Sequence, residues 1–271
     1  MSDPTRILKE AELTSVEVER ILRVCGPHAL LVGGQALATW AVYYGIQPVG
    51  ELSQIVTMDA DFIGSADIAK TLQRSLGQPW KVRIGTLDDI GPQIAKVYAV
   101  LAEGVKQVDF LSSIIGLETE IVRKRSAQLM LPDGTAIHLL HPLDVLESRL
   151  RNLDMLPAKR NPIGVAQSRL AVSVVRAFIE EHMNIAGDPR TVRQAVKRVE
   201  KIALDAQLSQ TAFTHNVDVL SAIPVERIAY SRFHDEQWPR ILKRLEHRRQ
   251  KFAALQHRRK LNAERSSGRK V

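Results

Sequence analysis

One cysteine, Cys25, stands in a sequence of 271 residues. An intramolecular disulfide is therefore excluded, and so is a zinc cage built on thiolates. The opening Met1-Ser2-Asp3-Pro4 and the mixed charges after it lack a basic stub followed by an apolar run, so no secretory leader is expected. Together these absences point to a reducing, cytoplasmic setting. Charge is missing from one stretch. From His28 to Ile46 there is no Asp, Glu, Lys or Arg, and the length approaches that of a membrane span. Pro27 before it and Gly33-Gly34-Gln35 inside it argue instead for a short buried strand, a glycine turn and a helix, with no membrane involved. Internal repeats are absent, and the basic C-terminal tail is the one biased segment.

What is present suits a globular chain with a sizeable core. Hydrophobic residues make up 45% and charged residues 25%, ordinary proportions for such a protein. The length fits one large domain or two moderate ones. The net charge of +8 is unevenly placed: from Arg232 to Val271 thirteen Lys/Arg face four Asp/Glu, leaving the rest of the chain at −1. A block of that kind attracts phosphate backbones. It is equally a solvated helix face with a frayed end.

Hydrophobic periodicity predicts a helix over 10–24, capped by Thr14 or Ser15, then a buried strand over 29–32 ending at Gly33-Gly34. A helix over 35–44 follows, stopped by Gly45. A strand is predicted over 55–63, and a helix over 68–76 with Asp67 as its cap. Strands are expected over 81–84, 94–101 and 107–111, the last two joined as a hairpin at Glu103-Gly104. Pro132-Asp133-Gly134 marks a second hairpin between 126–131 and 135–140. After His141-Pro142 only helices are predicted, over 143–153, 165–182, 190–206 and from Pro239 onward. The fold class is thus α+β, with an α/β domain over 1–140 and a helical domain with a basic tail over 141–271.

The chemistry centres on Asp59 and Asp61. Side chains alternate along a strand, so residues two apart share a face. Met58, Ala60 and Phe62 then point to the core. Two neighbouring carboxylates repel, and burying them unpaired is costly. A hard divalent cation such as magnesium or manganese, bound through oxygen, removes that cost. Asp109, alone among apolar residues in Val108-Asp109-Phe110-Leu111, is a third acid. If its strand lies beside the first, three carboxylates converge. Such a set can hold two metals about 3.5–4 Å apart around a phosphoryl displacement. Gly33 and Gly34, between a strand and a helix, allow backbone N–H groups to approach a phosphate. The spacings of a Walker loop and of a dinucleotide fingerprint are absent.

Taken in order, Val32-Gly33-Gly34-Gln35-Ala36-Leu37, Thr57-Met58-Asp59-Ala60-Asp61-Phe62 and Val108-Asp109-Phe110-Leu111 resemble the DNA polymerase β-type nucleotidyltransferase superfamily. Within it the chain resembles, more loosely, the AbiEii-like toxins of type IV toxin–antitoxin systems, and His141 to Leu150 looks like the opening of their helical domain. The resemblance covers roughly residues 28–180. It implies a nucleotidyltransferase-like mixed sheet with flanking helices, followed by a C-terminal helical domain. It also implies Asp59, Asp61 and Asp109 as catalytic metal ligands, and Gly33 and Gly34 as contacts to a nucleoside triphosphate. Mg2+ or Mn2+ would be the cofactor, and the acceptor hydroxyl could lie on RNA held by the basic tail. An antitoxin protein would be a partner. Two features depart from the pattern: an insertion around Gln47–Ile55 and Gln35 where a serine is common. Arg149, Arg151 and Lys159 are candidates for a basic residue that such toxins carry. Two alternatives stay open: a small-molecule, aminoglycoside-like nucleotidyltransferase, and a non-catalytic nucleic-acid or protein binding module.

Other groups read more plainly as structure. His138 and His141 lack an acid cluster, and a catalytic metal site needs about three convergent ligands. Trp40, Tyr43 and Tyr44 are spaced for helix packing, although they could stack a base. Asp88-Asp89 before Gly91-Pro92 suits a solvated loop. Arg248-Arg249-Lys251 and Arg258-Arg259-Lys260 could grip nucleic acid, while Ile241, Leu242, Leu245, Phe252 and Leu255 suggest a docking stripe.

Overall fold

The computed structural model of the chain describes residues 9–47, 59–86, 91–185 and 188–267. These form two compact units, Met1–Val174 and Val175–Val271.

The first unit is built on a seven-stranded mixed sheet in the order β3-β4-β5-β2-β1-β7-β6. Its strands are β1 (Leu30–Val32), β2 (Asp59–Ile63), β3 (Lys81–Ile84), β4 (Gln93–Leu101), β5 (Gly104–Leu111), β6 (Ala127–Met130) and β7 (Ala136–Leu139). The two hairpins expected from turn residues are present as the antiparallel pairs β4/β5 and β6/β7. Two parallel pairings, β2/β5 and β1/β7, hold the centre together. One face of the central strands is apolar. Ala60, Phe62, Val97, Val108 and Phe110 are buried there, with Phe62 and Phe110 stacked at 5.8 Å. Burying two such rings stabilises the β2/β5 pairing by more than their area alone supplies.

Helix α1 (Ser15–Cys25) starts at a capping box. The Thr14 hydroxyl accepts from the Glu17 N–H, and the Glu17 carboxylate accepts from the Thr14 N–H at 2.7 Å. That box satisfies two orphan donors and corrects the expected start at residue 10. Glu10 instead forms a parallel bridge to Val105. α2 (Gly33–Tyr43) follows β1 directly, so the uncharged stretch from His28 to Ile46 folds as a strand, a glycine turn and a helix. α3 (Ala66–Leu76) is capped by Ser65, not Asp67; Asp67 lies in the first turn and pairs with Lys70 at 3.1 Å. Ser65 wins because its backbone is extended while Asp67 is already helical. α4 (Thr119–Lys124), a short helix, is not anticipated by periodicity.

The strands end with β7, and α5 (Pro142–Met155) opens the helical remainder. His141 caps α5: its Nδ1 accepts from the Leu143 N–H at 3.2 Å. α5 belongs to the first unit and packs on α2. α6 (Pro162–Asn184) contributes to both units. By length and composition it alone among the described helices is apolar enough to cross a membrane. Ala171, Val174, Val175 and Ile179 are fully buried, as in a core helix.

In the second unit, Asp188 caps α7 (Pro189–Ala203) and Asp205 caps α8 (Ala206–Thr214). α9 (Trp238–Ser267) carries the basic tail. The docking stripe expected along α9 is narrower than its apolar residues suggest. Ile241 is buried and Leu245 and Phe252 are half-buried, but Leu242 and Leu255 face solvent. Positions 241, 245 and 252 are four and seven apart and share one helix face, whereas 242 and 255 fall to its sides.

Candidate active site

Asp59 and Asp61 lie on β2 with Ala60 buried between them, so alternation puts both carboxylates on the face opposite the core. β5 runs parallel beside β2, and its register sets Asp109 directly opposite Asp61 and Gln107 opposite Asp59. The three acids thus occupy one face of two hydrogen-bonded strands. Residues 55–58, expected in the same strand, lie outside the described residues, as do residues 48–55 of the insertion and the pair Asp88-Asp89.

β4 extends the row. Lys96 is the register partner of Asp109 on its other side. Its ammonium is 3.8 Å from Asp109 Oδ1 and donates to Gln107 Oε1 at 3.0 Å. Gln93 Nε2 donates to Asp109 Oδ1 at 2.6 Å. Neither Gln93 nor Lys96 stands out in the sequence reading, although a signal exists. Lys96 interrupts an apolar strand as Asp109 does, but counting back from a turn centred on Glu103-Gly104 would set it against Leu111; the hairpin closes one residue earlier, with Leu101 against Gly104, and this brings Lys96 to Asp109.

The electrostatics are those of crowded carboxylates. Burial pushes the Asp61 carboxyl up to about 7, with Asp59 and Asp109 adding repulsion while Arg149 and Lys159 oppose it. Burial likewise raises Asp109 to about 6; Lys96 and the Gln93 hydrogen bond pull down, while Asp59 and Glu10 push up. Arg149, on α5, is buried beside this cluster, donates to Gln167 Oε1 at 3.2 Å, and has no hydrogen-bond partner on Nε. Burial lowers its guanidinium below the usual value, and Asp61 and Asp59 hold its charge. Of the three basic candidates, Arg149 and Lys159 act on Asp61. Arg151 instead pairs with Glu147 on its own helix at 3.5 Å.

Gly33 has a reason for being glycine that needs no ligand. Its φ is +68°, and a Cβ there would stand 2.2 Å from Asp61 Oδ2. Side chains other than hydrogen are excluded twice over. The start of α2 is not capped by a side chain, and its first turn holds no acid. Its leading N–H groups are therefore the kind that receive anions.

Three carboxylates on one face, of which Asp61 and Asp109 have proton affinities raised by burial, suit a hard divalent cation by donor chemistry. As the side chains stand, however, no group of three or more His, Cys, Asp or Glu among the described residues is drawn together around one point. Gln93 engages Asp109 through Oδ1. His138 sits in β7 and His141 is a helix cap, so neither belongs to the cluster. Trp40 is buried with its Nε1 donating to the Leu140 carbonyl at 2.8 Å, whereas Tyr43 is half-exposed rather than core.

No family model matches the chain, and no curated protein matches it. Among solved structures it aligns with JHP933 from Helicobacter pylori at 13% identity and a TM-score of 0.37, over 90% of this chain and 100% of that one. It also aligns with a protein described as a "putative nucleotidyltransferase from H. pylori" at 12% identity and a TM-score of 0.33, over 87% and 98%. Likeness at this level carries no argument about this chain, whose reading rests on the carboxylate face of β2 and β5.

Proposed function

We propose that the chain is a metal-dependent nucleotidyltransferase, moving a nucleoside monophosphate from a nucleoside triphosphate to an acceptor hydroxyl. The observation that carries this reading is the parallel register of β2 and β5, which sets Asp61 opposite Asp109 with Asp59 on the same face. In the proposal Asp59, Asp61 and Asp109 are the oxygen ligands of Mg2+ or Mn2+. When bound, such an ion neutralises triphosphate charge and favours ionisation of the acceptor hydroxyl.

The protein's own groups do the rest. In the same reading Asp109 would also help to take up the acceptor's proton. Gly33 and Gly34 offer backbone N–H groups to the triphosphate at the uncapped start of α2. The buried Arg149 guanidinium adds positive charge where pyrophosphate develops its own. Catalysis of this kind is mainly positioning and charge stabilisation. The looser resemblance to toxins of the superfamily adds an RNA acceptor and an antitoxin protein to the proposal.

The experiment mixes the full chain, magnesium and each labelled nucleoside triphosphate with total RNA and with small hydroxyl compounds. Label is expected in RNA, and Asp59→Ala and Asp61→Ala should each abolish it. Label in small hydroxyl compounds alone would move the acceptor to a small molecule. No transfer with any of the nucleotides, together with no triphosphate binding by calorimetry, would overturn the proposal.

A further inference from the structure

The second unit holds an open groove of about 750 Å³, formed by α8, the segment after it and α9. Its floor is apolar, with Val217 and Leu220 buried. Two aromatic rings line it, Phe213 and Phe252, at 5.8 Å and 49° to each other. Both are half-buried, which leaves part of each ring face within reach. The Arg249 guanidinium lies over the Phe213 ring at 5.5 Å. Its acid partner, Glu246, is 3.8 Å away, and both side chains are more than half exposed, so that ion pair is a weak tie.

Charge selects the occupant. α9 carries ten Lys/Arg and two acids, Glu246 and Glu264. Among the described residues that line the groove, Asp218 is the single acid. Arg259 and Lys260 follow Gln256 at three and four positions, continuing the groove face along an exposed stretch of helix. The partner must therefore be polyanionic and must also offer flat apolar groups to Phe213, Phe252 and Arg249. An acidic peptide meets the first requirement along its length but the second only where it carries an aromatic side chain. A nucleic-acid duplex has its bases already stacked on one another. A single strand meets both, because every base has a face to stack while the phosphates meet the basic helix.

We infer that this groove binds single-stranded nucleic acid, with bases stacked on Phe213, Phe252 and the Arg249 guanidinium and phosphates along Arg248, Arg259 and Lys260. This goes beyond the reading of the acid cluster and holds whether or not that cluster transfers nucleotides.

The test is fluorescence anisotropy with the full chain and a labelled single-stranded RNA of about 12 nucleotides, a length within the span of known single-strand sites. The same sequence is also tested as a duplex. Tighter binding of the single strand, weakening with salt, is expected. Phe252→Ala and Arg249→Ala should each weaken it about tenfold, the loss typical of a stacking residue, while Phe252→Trp should retain it. Circular dichroism checks folding; should Phe252→Ala fail to fold, Arg249→Gln, altered at an exposed side chain, decides. Chelation of divalent ions should leave this binding unchanged, which separates the groove from the acid cluster. Absence of single-strand binding, equal binding of duplex, unchanged affinity in the Phe252 and Arg249 variants, or self-association through the groove that excludes RNA would each overturn the inference.

Discussion

Gly33 and Asp61 occupy one another's space: a methyl group on the glycine would stand 2.2 Å from the carboxylate oxygen Oδ2. The glycine that opens α2 and the acid on β2 are thus one packing unit. Gly33→Ala should cost about 1–3 kcal/mol, combining the positive φ with the clash. Gly134→Ala is the control, because Gly134 also has positive φ, +84°, but nothing lies within 4 Å of an added Cβ. Urea unfolding of both variants should show the larger loss at Gly33. Cation binding by calorimetry should fall for Gly33→Ala alone, since only that methyl displaces Asp61.

The carboxyls of Asp61 and Asp109, raised to about 7 and about 6 chiefly by burial, set a pH dependence. In the unfolded chain both ionise near pH 4. Between pH 4 and 7 the folded protein therefore holds more protons than the unfolded one, and stability falls as pH rises. In chelator-treated protein this contribution is fully present below about pH 4 and is lost through pH 6–7. Asp61→Asn should flatten the fall. Added magnesium should raise the melting temperature more at pH 8 than at pH 5, because it binds the ionised carboxylates. Melting curves across this range, with and without the ion, check the sign. A rise in chelator-treated stability from pH 4 to 7, insensitive to Asp61→Asn, would contradict it.

Lys96 tunes Asp109 from the neighbouring strand. Its ammonium, 3.8 Å away, opposes the effect of burial. Lys96→Met should push the Asp109 carboxyl of the metal-free protein above about 6 and move the pH profile of magnesium binding to the alkaline side. Gln93→Leu, which removes the 2.6 Å hydrogen bond, should act in the same direction. An unmoved profile in both variants would show that Asp109 does not carry the titrating step.

Much of the local architecture is written in short-range signals. Thr14 and Glu17 spell a capping box, although apolar spacing alone extends the helix back to residue 10. Glu103-Gly104 and Pro132-Asp133-Gly134 mark both hairpins. α8 is harder to see: it spans nine residues, too few for a period to emerge, and Asp205 announces it only in hindsight. Ser65 over Asp67 as the cap of α3 is decided by backbone conformation, which two candidate residues so close together leave open.

The sequence by itself determined that Asp59 and Asp61 share a face, because side-chain alternation is a property of any single strand. That Lys96 faces Asp109 was left open, because the register depends on where the hairpin closes, and it closes at Leu101 and Gly104 rather than around Glu103-Gly104. Tertiary structure alone decided that β5 lies parallel to β2 with Asp109 against Asp61. It also decided that α5 brings Arg149 into their field. Parallel neighbours are joined through distant connections, so their pairing is set by burial of Phe62 and Phe110 on the far face and not by any turn between them. The same holds for the space beside Gly33, which is filled by a carboxylate that a different strand delivers to it.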